Sequence, residues 1–485
     1  MRMPILPFSV FLLTWPSVST FVTVAARADD SPRVELGERL FKEGRFSQPH
    51  FANASPRGVR GPQLWSCATC HHLPEQKRGY ADSESRSPVP ARREDQQQIT
   101  LRNSPSMIDL FFNESSERPN LLHYDGEFAS PEDLVRAGLT GRNLGWLAHE
   151  KSIVVAHIAT VVRREFADDE ETFGLSLLLA SDSQILDAVA DLISDYMRSL
   201  EFEKDDEGQF SGSPYDRFLA RNRLPQRPNP GETGAAYTLR LLESVERLSN
   251  PEWVDEGRMR RHEQDFRFGP TELQGMKIFL KSGPRGSIRD FAHLRGIGNC
   301  ASCHTPPAFT DFTFRNTGVS QEEYDAIHGR GGFLRMAIPS LVERLQMDSS
   351  RLADFAALPS YQNTRAVDLG AWNQLQPGVR GPLFGWICQV VPGCSSAPSE
   401  QAVQDAAIAA FKTPTVRNLG HSAPYLHNGS RPTIESATLF YAIMSNLARD
   451  GRMRNADPEM LKVFLDGRDV GPLAAFMRAL NEEYE

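Results

Sequence analysis

Two short strings in this chain could carry redox chemistry: Cys67-Ala68-Thr69-Cys70-His71 and Cys300-Ala301-Ser302-Cys303-His304. A Cys-x-x-Cys pair followed at once by histidine is the attachment pattern of c-type haem. The two thiols form thioethers with the porphyrin vinyl groups, and the histidine is carried under the ring as the proximal iron ligand. The same spacing also fits a thiol redox pair or half of a zinc site. Zinc asks for a second ligand pair at finger-like distance, and neither half of the chain offers one. Two covalently bound haem c groups are therefore expected, attached at Cys67, Cys70, Cys300 and Cys303, with His71 and His304 on iron. What fills the opposite axial position then decides between electron transfer and chemistry.

The elements that must position these motifs repeat. Leu36-Gly37-Glu38-Arg39-Leu40-Phe41 precedes the first, and Leu273-Gln274-Gly275-Met276-Lys277-Ile278-Phe279 the second. In both, Phe follows Gly by four residues, which puts the pair on one helical face. Downstream, Tyr124-Asp125-Gly126 matches His427-Asn428-Gly429, a tight turn in each half. Ser130 and Thr433 then cap a helix with an acid in its first turn. Each half reads as helix, haem motif, loop, turn and capped helix, so the fold class is mostly α, with two cytochrome-c-like domains. Gly138 and Tyr441 stand fourteen residues past Tyr124 and His427. If each capped helix crosses a haem face, one site offers no side chain and the other a phenol. One accessible and one six-coordinate haem are expected, with Met444, a turn beyond Tyr441, as the other candidate ligand.

Apolar spacing predicts helices over Ile185–Phe202, Tyr237–Leu248 and Ile153–Val162. The expected organisation is a signal peptide over 1–28, an N-terminal domain over 29–225, a linker or insertion over 226–268 and a C-terminal domain over 269–485. The C-terminal half carries a long insertion between its motif and its turn, expected to be irregular. Within it, Cys388 and Cys394 are the spare pair among six cysteines and could close a small disulfide.

The chain resembles the bacterial di-haem cytochrome c peroxidase family, including its MauG branch. The resemblance rests on both haem motifs, on Arg102-Asn103-Ser104-Pro105 and Ser213-Pro214-Tyr215-Asp216-Arg217-Phe218-Leu219, and on the string from Pro414-Thr415-Val416-Arg417-Asn418 to Ala423-Pro424-Tyr425-Leu426-His427-Asn428-Gly429. It implies a distal ligand at Tyr441, as in the MauG branch, where peroxidases have Met. It also implies a calcium ion held by Asn103 and the carbonyls of Ser422 and Pro424, and an electron relay at Tyr124, where the family has Trp. The implied activity is reduction of hydrogen peroxide at the N-terminal haem. Electrons would reach it through the C-terminal haem from a small redox protein (a cytochrome c or a copper protein), or from side chains of a protein substrate.

The departures lie over the first haem. The family's distal Gln falls on Leu134, and its Glu falls on Asn143 or Leu144, depending on a one-residue gap. Replacement proton carriers are sought among Glu132, His149, Glu150 and His157, although Glu132 and Asp133 also read as first-turn helix acids and His157 as a core histidine. His72 reads as a surface residue and His427 as ordering its turn. The lost acid–base pair leaves a non-catalytic electron-transfer protein as the alternative function, and a haem-based sensor as a third.

The 485 residues carry a net charge of −9, which argues against nucleic acid as a partner. The basic Arg2, the apolar run Ile5–Trp15 and Ala26-Arg27-Ala28 read as a cleavable signal too short to span a membrane. The expected location is the periplasm, with no stable membrane insertion after cleavage.

Overall fold

A computed structural model describes residues 31–48, 50–51, 62–74, 81–90, 99–111, 120–284, 293–391, 394 and 399–482. The expected signal segment lies outside them. Among the described residues no helix is long and apolar enough to cross a membrane.

Each half is organised by a helix crossing that glycine permits. In the N-terminal half, Ser31 Oγ caps Pro32–Phe41 by accepting from Val34 N, and a proline at the first helical position suits the start. That helix packs across Asp182–Ser199, which buries Ile185, Val189, Leu192 and Ile193. A Cβ at Gly37 would collide with the Leu192 carbonyl oxygen. In the C-terminal half, Pro270–Leu280 packs across Gly467–Arg478, and a Cβ at Gly275 would collide with the Pro472 carbonyl oxygen. The repeat noticed around Gly37 and Gly275 is thus one close-crossing device used twice.

The capped helices form as expected: Pro131–Leu139, where Ser130 Oγ accepts from Asp133 N, and Ile434–Arg449, where Thr433 Oγ1 accepts from Ser436 N. The other periodic segments are helices over Lys151–Glu165, Asp182–Ser199 and Gly234–Glu246. Strands are few and short: Val254–Arg258 pairs with Asp265–Phe268, and Phe314–Arg315 with Phe411–Lys412, both antiparallel.

Two expectations about organisation need correction. Residues 226–268 carry the Gly234–Glu246 helix and the Val254–Phe268 hairpin, whose Tyr237, Leu241, Val245 and Phe268 lie in the C-terminal core. Tyr215, Phe218 and Leu219, from before that stretch, lie in that core too; the helix expected over Tyr237–Leu248 is present, and its apolar face packs into the C-terminal core rather than standing between two domains. The insertion is irregular only in its connections. It holds short helices over Val319–His328, Pro382–Cys388 and Glu400–Ala407, and a core of its own around Phe333, Phe355, Trp372 and Trp386. Cys388 and Cys394 are disulfide-bonded at the edge of that core.

Candidate functional site

The two haem motifs line one cavity of about 770 Å³. Cys67–Cys70 forms a single helical turn, and Cys300–Ser302 a 3₁₀ turn started by Asn299 in the left-handed region, with φ of 50°. Asn299 is fixed there by its amide, which donates to the Glu459 carbonyl and carboxylate, both at 3.0 Å. His71 and His304 point the same ring atom at backbone. His71 Nδ1 lies 3.2 Å from the Pro105 oxygen, and His304 Nδ1 lies 3.2 Å from the Phe309 oxygen and 3.1 Å from the Pro414 oxygen. With the proton on Nδ1, Nε2 is the ring nitrogen of each that can take a metal. Burial also holds His304 below its ordinary pKa, in the neutral form a metal needs.

The cysteines fit thioether attachment better than thiol redox chemistry. All four are unbonded. Burial, with Cys70 close by, pushes the Cys67 thiol up to about 12, and burial does the same to Cys300. A redox Cys-x-x-Cys needs a depressed thiol. The residues present therefore fit a haem at each motif: two buried thiols, an oriented imidazole and a largely apolar cavity.

The helices facing the two motifs differ at the positions aligned from sequence. Gly138 lines the cavity, and a Cβ built on it meets nothing within 4 Å. Leu134, Asn143 and Leu144 line the wall beside it. In the other half Tyr441 lines the cavity, hydrogen-bonded to Thr317 and electrostatically coupled to Cys303 and Cys300. Burial and those thiols drive its phenol well above the usual range, so ionising it requires a cation opposite. Met444 faces away, packed with Val319, Phe440, Met453 and Met460 in a satellite core.

Between the sites the two repeated turns meet. Gly126 and Gly429 take φ of 74° and 61°, which the turn demands and a side chain resists. The Tyr124 and His427 rings are 6.2 Å apart, and His427 stacks on Phe411 at 3.5 Å. Burial raises the Tyr124 phenol and lowers the His427 imidazole to about 3, so both are neutral. Asn103 N donates to the His427 carbonyl at 2.7 Å, and Asn103 Nδ2 to the Pro424 carbonyl at 2.7 Å, while its Oδ1 is buried without a partner. An orphaned amide oxygen beside the Pro424 carbonyl, with Ser422 on the same cavity wall, is a donor set of the kind calcium takes.

The proton carriers sought from sequence lie outside the cavity lining. Glu132 is drawn to Arg198 at 2.8 Å. Glu150 accepts from Leu147 N at 2.9 Å at the start of the next helix, and the adjacent His149 is exposed. His157 Nε2 lies 2.7 Å from the Arg45 oxygen, against Trp146. Cavity residues that sequence reasoning missed include His123 and Glu127, which flank Tyr124, and Lys412. The ammonium of Lys412 donates to the Leu121 carbonyl at 2.9 Å, and burial draws it down to about 8. The alternation of His123, Asp125 and Glu127 around Tyr124 was the available signal.

Residues 31–223 match the family described as di-haem cytochrome c peroxidase. The cytochrome-c peroxidase IdrP2 of Denitromonas iodatirespirans is 21% identical over 464 residues, covering 94% of this chain and 84% of that protein. Among solved structures, a variant of the di-haem peroxidase BthA from Burkholderia thailandensis superposes with a TM-score of 0.50 at 18% identity, covering 93% of this chain and 86% of that one. A MauG-like protein associated with microbial copper homeostasis gives a TM-score of 0.45 at 18% identity, covering 93% and 90%. The family match in the N-terminal half and the relative that runs on through the second motif agree with the paired sites: residues 31–223 form a domain of the di-haem cytochrome c peroxidase family, and the chain is similar along its length to a peroxidase-type oxidoreductase.

Proposed function

We propose that this protein is an exported, periplasmic di-haem c-type peroxidase that reduces hydrogen peroxide at its N-terminal haem site, with electrons entering at the C-terminal one. The donor is a small cytochrome or copper protein, or side chains of a protein substrate. The observation that supports the reading is the contrast between Gly138, which brings no side chain to the cavity wall, and Tyr441, which brings a phenol to it from the corresponding helix of the other half.

Bound at the motifs, the haems supply the iron and the redox equivalents for splitting peroxide. The chain's own residues set where that occurs. His71 and His304, anchored through Nδ1, present Nε2 as proximal ligands. Gly138 leaves room for a small ligand, and Leu134 and Leu144 make the adjacent wall apolar. Tyr441 would supply the second protein ligand at the C-terminal site, where a cation opposite would favour its phenolate. Tyr124, against His427 and Phe411, relays electrons between the sites, and calcium at Asn103, Ser422 and Pro424 pins the turn that carries His427. Leu134 and Asn143 or Leu144 cannot move protons as the family's Gln and Glu do. General acid–base help is worth about 10²–10⁴-fold, so turnover with generic donors is slow but present.

The test is absorption and EPR spectroscopy of the purified ferric protein, with and without cyanide and peroxide. One high-spin site that binds cyanide and one inert low-spin site are expected. Two low-spin sites, or bleaching by peroxide without oxidation of the reduced protein, would refute the reading.

A further inference from the structure

The turn that carries Tyr124 brings three potential metal ligands together. A ring nitrogen of His123 and one carboxylate oxygen each from Asp125 and Glu127 lie within 4.8 Å of one another. His123 Nδ1 and Glu127 Oε2 are 3.0 Å apart. Ligands held about 2.0–2.2 Å from one zinc ion stand about 3–3.5 Å from each other, so the pair needs only a small opening to admit an ion. On its own this could be a surface ion pair, since the His123 and Glu127 side chains are 43% and 45% exposed.

Asp125 supplies the independent sign. Its side chain is 6% exposed. Its Oδ2 accepts from Arg102 Nη1 and Gln374 Nε2, both at 2.9 Å, while Oδ1 is buried with no partner at all. An unpaired buried carboxylate oxygen is costly, and a cation would satisfy it. The Arg102 guanidinium is meanwhile shared with Asp368 at 2.6 Å, so one cation serves Asp125 and Asp368 while Glu127 lies next to them. Arg102 and Gln374 hold Asp125 in the way that outer partners orient a metal-binding carboxylate.

We propose that His123, Asp125 and Glu127 bind a first-row divalent cation, with Zn²⁺ as the best match to one imidazole and two carboxylates. Three protein ligands leave a fourth position for water on the cavity side. The site is distinct from the calcium position, which uses Asn103 and backbone carbonyls, and it does not depend on the peroxidase reading. It places a positive charge on the residues either side of Tyr124.

The experiment is calorimetric titration of the haem-loaded protein with Zn²⁺ after removal of divalent metals, in buffer containing calcium so that the Asn103 position is filled. The native protein should take up one equivalent. His123→Ala and Glu127→Gln, both at exposed positions that tolerate change, should each weaken it by more than about 100-fold. Asn103→Ala and the remote His149→Ala should leave it intact. No uptake by the native protein, or equal uptake by His123→Ala and Glu127→Gln, overturns the proposal.

Discussion

The two haem sites share their proximal side and differ on their distal side. Each buries a Cys-x-x-Cys pair and ties its histidine through Nδ1 to a backbone oxygen, Pro105 in one half and Phe309 and Pro414 in the other. Across the cavity, the capped helix of the first half offers Gly138, and that of the second offers Tyr441. The surroundings of the two motifs are thus set by local sequence and used twice, whereas the facing helices differ at one position, a glycine in one half and a tyrosine in the other. The proximal side should tolerate no change in either half, and the distal side should be exchangeable.

The largest effect is expected from breaking the shared part. Cys67→Ala or Cys300→Ala should each cost one covalent haem, read by intact mass and by the haem content that survives denaturation. Loss of both haems from a single substitution would mean that the halves do not mature independently.

The next effect sharpens the difference. Gly138→Tyr brings a phenol to the cavity wall from the last turn of its helix, as Tyr441 does in the other half, without displacing a packed side chain, so the variant should fold. It should abolish cyanide binding at the first site. Tyr441→Ala should do the reverse and raise cyanide stoichiometry from one to two per chain, and Tyr441→Met should raise the potential of the second site. If Tyr441→Ala leaves the inert site six-coordinate, Tyr441 is not its ligand.

What could be read from sequence follows the range of the interactions involved. The haem motifs, the Ser130 and Thr433 caps and the Gly126 and Gly429 turns are set within a few residues, and alignment of the two halves carried Tyr441 and Gly138 with them. The proton carriers sought from sequence stand apart from the cavity for a tertiary reason. His149 and Glu150 follow the distal segment closely in sequence, but Glu150 is used to cap a helix and His149 turns outward. His123 and Glu127 reach the cavity because the Tyr124 turn is pressed against the His427 turn, a contact between halves that no local pattern announces. The core of the insertion was hidden similarly, since Phe333, Phe355, Trp372 and Trp386 are far apart in sequence and come together only through short helices.

A smaller effect tests the paired helix crossings. Gly37→Ala and Gly275→Ala each drive a methyl group into a backbone carbonyl, Leu192 and Pro472 respectively. Backbone cannot move aside as a side chain does, so each should destabilise by about 1–3 kcal/mol, measured by denaturant unfolding. Gly138→Ala, on a helix with free space, should be neutral or stabilising. Equal behaviour of all three would mean that the crossings relax.

The last comparison concerns two buried arginines in matching strings, Thr100-Leu101-Arg102-Asn103 and Thr415-Val416-Arg417-Asn418, each set between two carboxylates. Arg102 pairs with Asp125 and Asp368, and Arg417 with Asp216 at 2.8 Å and Glu482 at 3.2 Å. Arg417 thereby joins the family strings around Ser213–Leu219 and Pro414–Asn418 into one cluster. The electrostatic outcomes are opposite. Burial works against ionisation of Asp368, but Arg102 outweighs it and holds the carboxyl below the ordinary range. Burial of Glu482, only partly offset by Arg417 and reinforced by the negative charge of Asp216, pushes its carboxyl up to about 8 from an ordinary 4.5. A lowered carboxyl stabilises above its unfolded pKa and fails only as acid titrates it, so the Arg102 cluster should be insensitive between pH 5 and 8. A raised one stabilises the fold while protonated, fully so below 4.5, and loses that contribution as pH climbs to about 8. The unfolding midpoint should therefore fall between pH 5 and 8, by about 1 °C for each kcal/mol lost in a chain of this length. Glu482→Gln, which keeps the shape and removes the charge, should flatten that slope, whereas Asp368→Asn should lower the midpoint at both pH values without changing the slope. A slope unaltered by Glu482→Gln would show that Glu482 is ionised throughout and that the two arginine clusters are electrostatically alike.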